Sequence, residues 1–110
     1  MASVNITTIG GVEESTIAKW KKQHGELTLV TVEVDEGELY FWFRKPDMKT
    51  ISAVTKIAQS DPLGSTQALF RNCLLNNQHI HYADDPEVFL AVGPHLEDLV
   101  KKRKASSQRF

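Results

Sequence analysis

The stretch Lys45–Leu75, KPDMKTISAVTKIAQSDPLGSTQALFRNCLL, decides the fold of this chain. Met48, Ile51, Val54, Ile57 and Ala58 recur at three- and four-residue spacing, which predicts a helix with one apolar stripe. Leu63, Leu69, Phe70, Cys73 and Leu74 predict a second helix facing the core. Pro46 biases Lys45 to extended geometry, and Asp47 is placed to cap the first helix. Asp61-Pro62 repeats that logic, with Asp as the cap and Pro in the first turn, where its missing N–H costs nothing. Two amphipathic helices need a partner for their apolar faces, and the flanking segments must supply it.

On the N-terminal side, Leu27–Val34 alternates, with Val30, Val32 and Val34 on one face and Leu27, Leu29 and Thr31 on the other. Asp35-Glu36-Gly37-Glu38 is a turn and Leu39–Arg44 returns as a second strand. Leu39, Phe41 and Phe43 share one face; Tyr40 and Trp42 share the opposite one. A two-stranded hairpin is barely stable alone, so a third strand, from residues 3–9 or 79–83, or a second subunit is expected to complete the sheet. Upstream, Glu13–His24 reads as a helix with acids at its start and Lys19, Lys21 and Lys22 near its end, complementing the macrodipole. Ile17, Trp20 and His24 share one face of it, and Gly25 is its C-terminal cap. Residues 1–12 read as a flexible arm ended by Gly10-Gly11, with a short edge strand as the alternative.

On the C-terminal side, Asn76-Asn77 ends the second helix, and His79–Tyr82 reads as a linker or short strand. Asp85-Pro86 opens a last helix that buries Val88, Phe89, Val92, Leu96, Leu99 and Val100. Gly93-Pro94 inside it predicts a kink or a split into two helices. Residues 105–110 carry no period and form a second flexible end. The expected architecture is a single α+β domain over 1–110, mostly helical, with a β-hairpin or short antiparallel sheet packed on three to four helices.

Apolar content of 41% and charged content of 25% are ordinary for a globular chain. A formal charge of −1 argues against nucleic acid as the main partner. Cys73 is the only cysteine, so no intrachain disulfide forms. No apolar run is long enough for a membrane span and the N-terminus lacks a signal-peptide layout, so a cytosolic protein is expected. Asn5-Ile6-Thr7 matches the glycosylation sequon, with no secretion signal to bring it into use.

Cys73, His79 and His81 match no zinc spacing, and Cys73 lies on an apolar stripe as a small hydrophobe. Asp84-Asp85 precedes Pro86 and reads as a helix cap rather than a catalytic pair. There is no Gly-rich phosphate loop, GxSxG elbow or HExxH. No catalytic, cofactor or metal site is expected, and the chain reads as a protein-binding module. Its candidate contact residues are two groups. Tyr40 and Trp42 are either binding anchors or rings packed under a helix of the same chain. Lys101, Lys102, Arg103 and Lys104 either compensate a helix dipole or form a docking or nucleic-acid patch.

Taken whole, residues 13–100 resemble the tail assembly chaperones of long-tailed bacteriophages and prophages. The carriers are Trp20-Lys21-Lys22-Gln23-His24-Gly25, Tyr40-Phe41-Trp42-Phe43-Arg44-Lys45-Pro46, the Asp61-Pro62-Leu63 restart and Leu69-Phe70-Arg71-Asn72-Cys73-Leu74. An acidic turn and a last helix at Val88-Phe89 follow them. The resemblance implies a non-catalytic, self-associating protein of the bacterial host cytoplasm, absent from the finished virion. It would coat the tape-measure protein while tail-tube protein polymerises around it. It looks like the short form of such a pair, the longer form being made by frameshifting, and departs from the family in its additional first twelve residues. The competing reading is a small nucleic-acid-associated or regulatory protein that uses the basic C-terminus.

Overall fold

The computed structural model describes residues 8–100 and 105–110. Two antiparallel hairpins and a set of helices build a small α+β domain. The first hairpin pairs β1 (Thr8–Ile9) with β2 (Val12–Glu13), followed by α1 (Glu14–His24). The second pairs β3 (Leu27–Val34) with β4 (Gly37–Arg44). Then come α2 (Met48–Ala58), α3 (Pro62–Cys73), a 3-10 segment Asn77–Asp84, α4 (Pro86–Glu97) and a terminal 3-10 turn Asp98–Val100.

The core lies between one face of the β3–β4 hairpin and the helices α3 and α4. Register sets Val30 opposite Phe41 and Val32 opposite Leu39, so strand alternation delivers one apolar face. Phe41 and Phe43 meet Phe70 of α3 edge-on, at centroid distances of 5.6 and 5.4 Å. Val88, Phe89, Val92 and Leu96 close the layer from α4, and Cys73 and Ala83 fill it. Burial pushes the Cys73 thiol above its usual range, as suits a packing residue.

Three aspartates open the helices after β4. Asp47 accepts the Thr50 N–H at 2.8 Å, Asp61 the Gly64 N–H at 2.9 Å, and Asp85 the Glu87 and Val88 N–H groups. Gly25 closes α1 at φ 79°, in the region that favours glycine, and donates to the Lys21 carbonyl. The Thr50 N–H holds the Asp47 carboxyl below its ordinary 3.8. Because the folded-state value is the lower one, the cap contributes fully above the unfolded pKa and is lost as pH falls through the folded value. The stability gap between the protein and its Asp47→Ala variant should therefore close below pH 3.8, as followed by urea melts across that range.

Several expectations are corrected. The β3–β4 sheet gains no third strand among the described residues. Residues 79–83 lie in the 3-10 segment instead, whose three-residue repeat turns His79 and Tyr82 to one side. The His79 and Tyr82 rings then pack on Phe41 at 5.5 and 5.7 Å. The flexible-arm reading fails for residues 8–12, where Thr8–Ile9 pairs with Val12–Glu13; residues 1–7 lie outside the described residues. α4 runs unbroken through Pro94 rather than splitting. Pro94 and Leu90, whose carbonyl loses its helical donor, are both exposed, so water can take that bond. The apolar stripe of α2 is not buried, and Leu63 points to solvent.

Candidate functional site

The second face of the β3–β4 hairpin is covered from within the chain at Trp42, while Leu29 and Thr31 on it stay exposed. Trp42 is 5% exposed; its ring lies 6.1 Å from that of Trp20 on α1, and its Nε1 donates to the Gly10 carbonyl at 3.0 Å. Gly10 sits at φ 55°, and a Cβ there would come within 3.0 Å of Leu29 and of the Trp42 indole nitrogen. The β1–β2 turn thus needs a glycine to press onto Trp42. Tyr40 is half-buried, with its hydroxyl toward Glu38 at 3.5 Å. Trp42 is therefore an intrachain packing residue and not an exposed anchor. Lys101, Lys102, Arg103 and Lys104 lie outside the described residues.

The outer edge of β4 is closed by a device the sequence reading missed. Leu75 N–H donates to the Trp42 carbonyl at 2.8 Å. The buried Asn76 side chain then acts as a strand would: its Oδ1 accepts from Trp42 N–H at 2.9 Å and its Nδ2 donates to the Tyr40 carbonyl at 2.7 Å. A buried asparagine after a helix end gives a sequence signal only if one asks where the edge strand's hydrogen bonds go.

An apolar surface remains open on the far side. None of the eleven residues of α2 is buried. Ile51, Val54 and Ala58 of α2, Leu63 and Leu69 of α3, and Val100 line a groove of ≈ 480 Å³. Thr55, Ser65, Thr66 and Glu97 supply its few polar groups. Leu63, 64% exposed, also borders a shallower groove with Pro86, Phe89 and Leu90. Met48 at 76% and Ile57 extend the apolar character of α2. The groove holds no acid–base pair or nucleophile poised by a base; what it offers is contact area for an apolar ridge.

His79 is half-buried, and burial, with His81 adding to it, lowers its pKa from 6.5. Asp84 is bonded to Arg71 and to Gln67, so it stands in a surface bridge beside the capping Asp85. Among the described residues no group of three or more His, Cys, Asp or Glu is arranged to hold a metal ion. No helix among them is long and apolar enough to cross a membrane.

No family model matches the chain, and no curated protein matches it. Among solved structures it is similar to the uncharacterised protein rbstp2171 from Bacillus stearothermophilus, with 22% identity and a TM-score of 0.60. That likeness covers 84% of this chain and 99% of the other. At this identity it shows a shared fold and says nothing about activity.

Proposed function

We propose that this chain is a non-catalytic tail assembly chaperone of a long-tailed phage or prophage, in its short form, acting in the host cytoplasm and absent from the virion. Its client is the tape-measure protein, and it helps tail-tube protein assemble around that client. The observation that carries the reading is the only partly covered stripe of α2 and the groove it forms with α3. A small domain leaves such a stripe open at a cost in solubility, and apolar grooves of this kind accept the face of an amphipathic helix. A long helical client offers many such faces, and modest affinity at each is enough when many copies act together.

The test is capture of tape-measure fragments by the purified protein. Ala58→Asp with Leu63→Asp alters two exposed groove residues, so circular dichroism should be unchanged while capture falls at least about tenfold, equivalent to ~1.4 kcal/mol. Removing residues 101–110 should leave capture intact. Capture that survives the groove variant but disappears with the tail, or no capture by any form, overturns the proposal.

A further inference from the structure

The two edges of the β3–β4 sheet are finished differently. On β4, the outward backbone groups of Tyr40 and Trp42 bond to Asn76 and Leu75. Their cross-strand partners are Thr31 and Leu29. Residues directly opposite in an antiparallel pair point their N–H and C=O groups either both inward or both outward, so Leu29 and Thr31 point theirs away from β4. Alternation adds Leu27 and Glu33 to this outer row. Among the described residues these groups have no further backbone partner, and no strand lies beyond β3. The register runs one to one from Leu27 to Val34, so no bulge interrupts the edge, and LTLVTVEV holds no Pro, Gly or Lys to guard it. Charge along it is polarised. Lys21 and Lys22 lie in the last turn of α1, just before β3, and Glu33, Asp35, Glu36 and Glu38 cluster at the far end. None of these has an opposite charge within 4.0 Å among the described residues, and Glu33 directly faces Glu38.

We infer that two copies of this chain pair antiparallel through the open edges of β3, giving one four-stranded sheet about a two-fold axis. Antiparallel pairing brings the start of each β3 to the end of the other. The lysines of each α1 then meet the acidic turn of the other copy, twice by symmetry, and offset the repulsion between Glu33 and Glu38. A parallel arrangement would set like charges together. Centred on Val30, the pairing sets Leu29 opposite the second copy's Thr31 and Leu27 opposite its Glu33, so each outward group of the edge gains a partner. Polarity decides the occupant. Residues 1–7 carry no charged side chain, and residues 101–110 carry cationic side chains and no acidic one. Neither terminus of the chain therefore matches both ends of the edge, whereas a second β3, with its flanking charges, does. Because each copy offers the same surface, the contact closes as a dimer. It is independent of the α2–α3 groove, so loss of one activity leaves the other measurable.

Sedimentation velocity at about 0.05 M salt, where screening is weak, tests it. The intact protein should be a dimer. Thr31→Pro removes an outward N–H that makes no backbone bond within the described chain, so circular dichroism should show it folded while dimerisation weakens at least about tenfold. Charge reversals at exposed positions test the polarity. Lys21→Glu with Lys22→Glu makes both ends of the edge acidic, and Glu33→Lys with Asp35→Lys and Glu36→Lys makes both basic. Each of these variants alone should pair more weakly than the parent. Mixed one to one they should form a dimer, because both contacts then join opposite charges, and this mixture decides even where Thr31→Pro fails to fold. A monomeric intact protein, a folded Thr31→Pro variant that pairs as tightly as the parent, or a mixture no more associated than its components would each overturn the inference.

Discussion

Phe70→Ala should lower stability by about 3–5 kcal/mol, the usual effect of emptying a buried aromatic site. Phe70 is fully buried and is the residue on which both Phe41 and Phe43 rest edge-on, so its loss removes the contact that joins hairpin to helices. Edge-to-face pairs add about 0.5–1.5 kcal/mol each beyond area burial, which puts this site at the upper end of the range. A small domain holds only ~5–15 kcal/mol in total. At ~4–8 °C per kcal/mol, the thermal midpoint should fall by well over 10 °C, and the variant can be unfolded at 37 °C. Phe70→Leu keeps most of the volume and should lose less. A shift of one or two degrees for Phe70→Ala would mean that the hairpin is held by other contacts.

Most of this core was legible because it rests on local periodicity. Alternation in Val30–Val34 and Leu39–Phe43 named the buried hairpin face, and the stripe through Leu69, Phe70 and Cys73 named the helix that covers it. The aspartate caps were legible for the same reason, since Asp47, Asp61 and Asp85 each act within three residues of themselves. What periodicity cannot show is which stripe finds a partner. The stripe of α2 looks as apolar as that of α3, yet only Ile51 and Val54 in it are half-buried and none of its residues is buried, and that difference is the candidate site. Trp42 shows the converse. It is chemically a good binding anchor, but Gly10, 32 positions away in sequence, and Trp20 reach its ring. The short-strand alternative at residues 79–83 failed because a three-residue repeat and a two-residue alternation differ little over five positions.

Asn76→Ala should cost about 2–4 kcal/mol, which is large for a change that removes no apolar area. The side chain satisfies Trp42 N–H and the Tyr40 carbonyl at once, and both belong to an edge with no strand beyond it among the described residues. Each group left buried and unpaired costs about 1–3 kcal/mol, against a net ~1 kcal/mol for an ordinary hydrogen bond. Asn76→Leu, closer in volume, should be no better, which separates lost hydrogen bonding from lost packing. Asn76→Asp keeps an acceptor for Trp42 N–H but turns a carboxylate oxygen toward the Tyr40 carbonyl. Its folded-state pKa should therefore rise above the unfolded value of about 3.9, so this variant alone should regain stability relative to Asn76→Ala as pH falls toward 4. Amide hydrogen exchange at Trp42 should accelerate in Asn76→Ala and Asn76→Leu before the protein unfolds globally. Exchange at Trp42 that stays as slow as in the parent would show that the edge is closed by Leu75 alone, with Asn76 a passenger.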